Sequence, residues 1–261
     1  MPTRLAKFAV AVAVLSGAIL GVRSTAAQKE TPAPWNYSGA AGPDHWSDLE
    51  PDFKGCAVGQ HQSPIDIRSA EEQPDLAAIR FDYKLSPLKI INNGHTVQVN
   101  YEPGSSITVN GVSLALKQFH FHHPSETAID GQHYDMELHL VHVDPAANRT
   151  AVVSVLIKSG AENPLLHVLL GNVPQAIGEE VTRKKIVINA ASFLPADQNY
   201  YMYDGSLTTP PCTEPVRWYV MKTVIEASPT QIAAFAKLYP DNARPVQPLD
   251  GRTIAVSNFQ K

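Results

Sequence analysis

Residues 118–144 read QFHFHHPSETAIDGQHYDMELHLVHVD, and how this stretch pairs with itself decides the architecture. Side chains two apart on a strand share a face, so His120 and His122 project together while Phe121 and His123 project oppositely. Asp130-Gly131 is a favoured two-residue hairpin turn, and MELHLVHV then resumes the alternation. The stretch therefore predicts two antiparallel strands. With Ile129 opposite Gln132, His122 falls opposite His139 on one face of the sheet. Pro124 cannot donate to a ladder, and a slip there brings His142 to that place instead.

The same alternation extends outward on both sides, through IRFDYKL, LKIINNGHTVQVNYE, SITVNGVSLALKQFHFH and TAVVSVLIKSG. Asn93-Gly94, Pro103-Gly104 and Asn110-Gly111 supply turns between or within these runs. Helical signals are few. Asn163-Pro164 before LLHVLL and Ser228-Pro229 before TQIAAFAKLY each place a capping residue ahead of proline, and Ile232, Phe235 and Leu238 fall near helical spacing. Residues 28–70 are mostly irregular, punctuated by Pro32, Pro34, Pro43, Pro51 and Pro64. The expected fold is mainly β: a single domain on a large, mostly antiparallel twisted central sheet with a few short surface helices.

The 261 residues are 44% hydrophobic and 18% charged, in the range of a globular domain, with a formal net charge of −4. There is no run of Lys or Arg, so the composition offers nothing to nucleic acid or to an anionic membrane surface. MPTRLAK, a run of about fifteen mostly apolar residues and then Ser24-Thr25-Ala26-Ala27 follow the order of a secretory signal. The apolar run is short of the ~20 residues a spanning helix needs. The reading is a signal peptide over residues 1–27 and a domain over 28–261. The destination is periplasmic or secreted, with no membrane contact after cleavage. In such an oxidising compartment Cys56 and Cys212 can pair only with each other. A disulfide closing so long a loop is worth roughly 4–5 kcal/mol in the chain-entropy model.

Two imidazoles on one strand face can share a metal, and a catalytic zinc takes three protein ligands and leaves one position open. The neighbouring strand offers the third, His139 or, with a slip, His142. Glu137 favours His139, because a metal-bound histidine usually gives its other N–H to a carboxylate or amide, and Glu137 lies two residues before it. Gln118 stands in the same relation to His120. No HExxH helix is present, which argues against a peptidase.

QFHFHHPSE, ELHLVHVD and YDGSLTTPPCTEPVRW resemble the α-class carbonic anhydrases of the exported bacterial type, as do GPDHW, GCAVGQHQSPIDI, NNGHTVQV and NARPVQPLDGR. These motifs run in family order from about Trp35 to Phe259. The resemblance implies reversible hydration of CO2 to bicarbonate by hydroxide on a Zn2+ held by His120, His122 and His139. It implies that Thr208 accepts the hydroxide proton and donates its own to Glu126, as the acceptor-only carboxylate requires. His95 matches the proton shuttle, an imidazole titrating near neutrality. Tyr37, Asn93 and Gln98 match the water path to it. Thr209 matches the substrate side of the metal, and Val141, Val152 and Leu207 match the apolar wall that receives CO2. Gln118, Glu137 and the carbonyl of Asn242 match the partners of the three ligands. Cys56 and Cys212 match the family's exported cysteine pair, with the expected role of holding the Thr208-Thr209 loop. A non-catalytic binding module and a zinc esterase are the alternatives, and a homodimer is compatible with the sequence. Two departures touch local packing: His123 replaces an aromatic residue, and Thr127 follows Glu126 where many members carry His.

Overall fold

The alternating runs form strands, and their turns adopt the backbone that the turn residues favour. In the computed structural model, which describes residues 35–259, Asn110-Gly111 and Asp130-Gly131 have φ of 50° and 76°, and 50° and 79°. Two consecutive positive φ values are what a tight hairpin with the right-handed strand twist requires. The expected signal peptide lies outside the described residues.

A 13-stranded sheet organises the domain. From one edge its order is Glu180–Ile188, Ser86–Asn92, Val97–Asn100, Val112–His122, Met136–Asp144, Arg149–Ser159, Val216–Met221, Tyr200–Gly205, Ala255–Val256 and Glu71–Glu72. Most neighbours are antiparallel. Arg149–Ser159 pairs in parallel with both Val216–Met221 and Ile225–Ala227, and Ala255–Val256 with Glu71–Glu72, so the sheet is mixed at its centre and far edge. Both expected helices form. Asn163 caps Pro164–Leu170 through its side chain, and Ser228 and Gln231 make a reciprocal capping box on Pro229–Leu238. Ile232 and Phe235 are buried there, but Leu238 is 43% exposed.

Each sheet face buries a separate apolar cluster. One contains Leu88, Phe119, Phe121, Leu138, Leu140, Val153 and Val155, covered by Leu165, Leu166, Leu169, Ile232 and Phe235 of the helices. The other contains Ile65, Val152, Leu156, Tyr203, Val216, Trp218 and Val220. Because alternate residues face opposite ways, Phe119 and Phe121 anchor the first cluster while His120 and His122 are left on the second face.

The pairing of the two histidine strands departs from the expected register by two residues. His139 faces His120, and Glu137 faces His122. The cause is the chain between them. Residues 123–135 do not extend the ladder: Ala128–Ile129 and Gln132–His133 close their own small hairpin, which joins Asp66–Ile67 in a separate three-stranded sheet. Counting outward from the Asp130-Gly131 turn therefore miscounts, but a shift of two preserves the face. His142 is excluded from the site. It is three residues from His139, on the opposite face, where its Nε2 lies 2.8 Å from the Tyr83 hydroxyl.

Candidate metal centre

The strand that carries His120 and His122 packs Phe119 and Phe121 edge-on against Phe193. On its other face His120, His122 and His139 each offer one ring nitrogen, and these atoms lie within 4.8 Å of one another. Their outer nitrogens are held elsewhere. His120 Nδ1 is 2.8 Å from Gln118 Oε1, and His122 Nδ1 is 2.7 Å from the Asn242 carbonyl. His139 Nε2 lies 3.0 Å from Glu137 Oε1, with its N–H off the direct line to that oxygen. Each outer acceptor fixes a tautomer and leaves the other nitrogen as a lone-pair donor. Burial holds His120 well below the ordinary imidazole range, helped by the neighbouring His122 and His139, and burial also lowers His122. Neutral imidazoles are what a metal requires. His122 Nε2 is buried without a hydrogen-bond partner among the described residues, which suits it to serve as a cation donor. Three converging nitrogens, with no fourth His, Cys, Asp or Glu grouped with them among the described residues, fit a catalytic zinc.

Glu137 is the most heavily supported of these acceptors. It accepts from the backbone and hydroxyl of Thr127 at 2.7 and 2.8 Å, and from the Ser154 hydroxyl. Burial alone would raise its pKa. Attraction to His139 and hydrogen bonds from His139, Ser154 and Thr127 outweigh that and hold the carboxyl near 2. Thr127, a departure from the family pattern, thus serves the carboxylate behind a ligand. Ser154 is a site residue that the sequence reading missed, because it sits unmarked within the apolar run AVVSVLI.

Glu126 lies between the ligands and the carboxy-terminal segment. Its Oε1 accepts from the Arg244 backbone N–H at 2.8 Å and lies 3.4 Å from His122 Nδ1. Burial lifts its pKa to about 7, against the lowering influence of His139, the Arg244 amide and Thr208. Its Oε2 is buried with no hydrogen-bond partner in bonding geometry among the described residues. Leu207 N–H donates to Thr213 O at 3.0 Å and Cys212 N–H to Thr209 O at 2.9 Å, which folds this loop back on itself. Cys212 is bonded to Cys56. Gln62 Nε2 donates to Cys212 O at 3.1 Å, a second tie on the same loop.

Val141 and Val152 are directly paired across adjacent strands, and with Leu207 they belong to the apolar cluster on the histidine face. Trp218 in that cluster stands edge-on to His139 at 4.9 Å. Gln98 pairs with His120, and Asn93 Nδ2 donates to Gln98 Oε1 at 3.4 Å. Tyr37 is pushed well above its ordinary pKa, first by burial and then by Glu126, Asp241 and Tyr239. His95 is stacked on Trp35 with ring centroids 3.7 Å apart and planes 4° from parallel. Half-burial lowers its pKa. The Trp35 stack was not legible, since 60 residues separate the rings.

The model of the eukaryotic-type carbonic anhydrase family matches residues 41–258. The chain belongs to the carbonic anhydrase family. A curated carbonic anhydrase from Nostoc sp. is 47% identical over 226 residues, 84% of each chain. A hyperthermostable carbonic anhydrase from an active hydrothermal vent chimney superposes with a TM-score of 0.83 at 45% identity, covering 86% of this chain and all of that one. The α-carbonic anhydrase of Thermovibrio ammonificans, solved with the inhibitor sulfanilamide, gives 0.81 at 42% identity over 85% of this chain and 99% of that one. The family reaction is hydration of CO2, and its cofactor is zinc, for which the histidine group in this chain is suited. Among the described residues no helix is long and apolar enough to cross a membrane.

Proposed function

We propose that this chain catalyses reversible hydration of CO2 to bicarbonate and a proton, with Zn2+ held by His120, His122 and His139. One observation carries the reading: three imidazoles converge their free nitrogens while a carboxamide, a backbone carbonyl and a carboxylate hold the outer ones. Carbonic anhydrase is the type case of the chemistry zinc supplies there, a water whose pKa is brought to about 7.

The remaining work belongs to the protein. Glu126, fixed by the Arg244 amide, can only accept when ionised, so the Thr208 hydroxyl donates to it. That leaves a Thr208 lone pair to orient the attacking oxygen. Val141, Val152 and Leu207 give CO2 an apolar wall, suited to a molecule with little capacity to hydrogen-bond, and Thr209 lies on the substrate side. The proton leaves past Tyr37, Asn93 and Gln98 to His95. A neutral imidazole of lowered pKa accepts a proton and returns it to buffer readily. Gln118, Glu137 and Asn242 orient the ligands.

The partners of this reading are CO2 and bicarbonate. The Cys56–Cys212 disulfide supports a periplasmic or secreted setting, reached by removal of residues 1–27, with residues 28–261 as the mature domain. Two measurements on that domain test the proposal: zinc per chain, and stopped-flow CO2 hydration. One zinc per chain with rapid hydration is expected, and His139→Ala should abolish both while His142→Ala retains both. A zinc-loaded protein without hydration would overturn it.

A further inference from the structure

Asn242 is 1% exposed, and every polar atom it carries is engaged. Its carbonyl faces His122 Nδ1 at 2.7 Å, and its N–H donates to the His123 carbonyl at 3.1 Å. The side chain does something separate. Its Oδ1 accepts from the His123 N–H at 2.8 Å, and its Nδ2 donates at 3.0 Å to both the His95 and Phe121 carbonyls. The amide orientation is dictated by these partners, since the flipped form would set an oxygen against two carbonyl oxygens and an NH2 against an N–H. One carboxamide thus spans two elements, the turn that carries His95 and the strand that carries His120 and His122.

The rest of that turn is held by its own side chains, by Tyr239 and by a reciprocal pair of bonds between the Thr96 hydroxyl and the Phe121 backbone. Asn93 Oδ1 accepts from the His95 and Thr96 amides at 2.9 and 2.8 Å, the local pattern that shapes a turn without fixing its position. Gly94 has φ of 89°, and its N–H meets the Tyr239 hydroxyl at 3.2 Å. The Thr96 hydroxyl donates to the same Phe121 carbonyl that Asn242 engages. At residue 95 itself the backbone carbonyl has Asn242 Nδ2 as its side-chain partner. The Trp35 stack faces the imidazole plane, and Asn242 Nδ2 joins the His95 carbonyl to the Phe121 carbonyl of the histidine strand.

We infer that the Asn242 side chain is a positioning residue for proton transfer, tying the His95 turn to the metal-ligand strand. The inference rests on the reading of His95 as the proton carrier. It is distinct from the carbonyl contact with His122, which any residue at 242 could make. Proton transfer over a short water path is sensitive to the distance it must span, so a loosened turn slows that step more than attack on CO2.

Asn242→Asp tests this on the full mature chain. It keeps size and the acceptor for His123 but replaces the donor with an oxygen facing two carbonyls. In zinc-free protein, amide hydrogen exchange at His95 and Thr96 should accelerate at least tenfold, with the Met136–Asp144 strand unchanged within twofold. In zinc-loaded protein and weak buffer, kcat should fall at least fivefold and by more than kcat/KM, with at least half restored by added imidazole. Unchanged exchange, an equal fall in kcat and kcat/KM, or no rescue would each overturn the inference. If Asn242→Asp does not fold, Asn242→Ser, which also shortens the tether, carries the same three readouts. His95→Ala separates the two claims. If that variant keeps full kcat, the shuttle reading has failed, and hydrogen exchange alone then decides whether Asn242 tethers the turn.

Discussion

Glu137 illustrates how a single carboxylate can be read at two depths. Its position two residues before His139 marks it as a ligand partner from the sequence, but its three hydrogen bonds come from Thr127 and Ser154, on two other segments, with His139 Nε2 3.0 Å away. Glu137→Gln keeps the shape yet places an NH2 against groups that donate. Zinc affinity should fall about 10–100-fold, the usual cost of losing such a partner, as read by chelator competition. His142 makes the opposite point. It belongs to the same run and is the residue a register slip would put in the place of His139, yet burial on the far face lowers its pKa to about 3. Between about 3 and the ordinary 6.5 the unfolded chain binds a proton that the folded chain refuses, so the stability is whole above pH 6.5 and is lost as pH falls toward 3. The gap bounds the effect at about 4–5 kcal/mol. Urea midpoints at pH 7 and pH 4.5 should therefore separate more in the parent than in His142→Gln.

Among elements, the alternating strands, the apolar run of Arg149–Ser159 and the two capped helices were legible, and several other strands were not. Val112–His122 and Met136–Asp144 carry the period of two. Glu180–Ile188 was missed because it is mostly exposed and its register breaks between Arg183 and Val187. Val216–Met221 was missed for the reverse reason, being buried on both faces, so it shows no alternation. The loop from Leu207 to Thr213 depends on neither pattern. It is held by Gln62 and by the Cys56–Cys212 bond, so its order is borrowed from a distant segment. Replacing both cysteines by serine should lower unfolding free energy by about 2–5 kcal/mol in denaturant titration. Because Thr208 rides on that loop, kcat/KM should fall at least fivefold in the same protein, and an unchanged value would show that the loop holds its shape unaided.

At the scale of the molecule, one sheet supports two different interiors. Phe119 and Phe121 face a large apolar core beneath the helices, and the alternate positions face the metal site. The strand that binds is thereby locked by the residues that do not. Phe119→Ala should cost about 3–5 kcal/mol of stability, as large core truncations do, and calorimetry should show it as a clear drop in melting temperature. Zinc should stabilise in proportion to its affinity, since only the folded sheet brings the three histidines together, and chelation should lower the melting temperature in a concentration-dependent way.

The sequence by itself determined which side chains share a face, because strand alternation is a local property of the backbone: His120 with His122, Glu137 with His139, and Phe121 away from them. It also determined the disulfide, since only two cysteines were available. It could not determine which residues stand opposite one another, because residues 123–135 form a hairpin of their own in a separate sheet and turn counting fails across it. Only the tertiary structure set His139 against His120, sent His142 to the far core, and brought Ser154, Arg244 and the Asn242 side chain to the site. Those contacts join residues far apart in the chain, and no local periodicity encodes a distance that only chain packing creates.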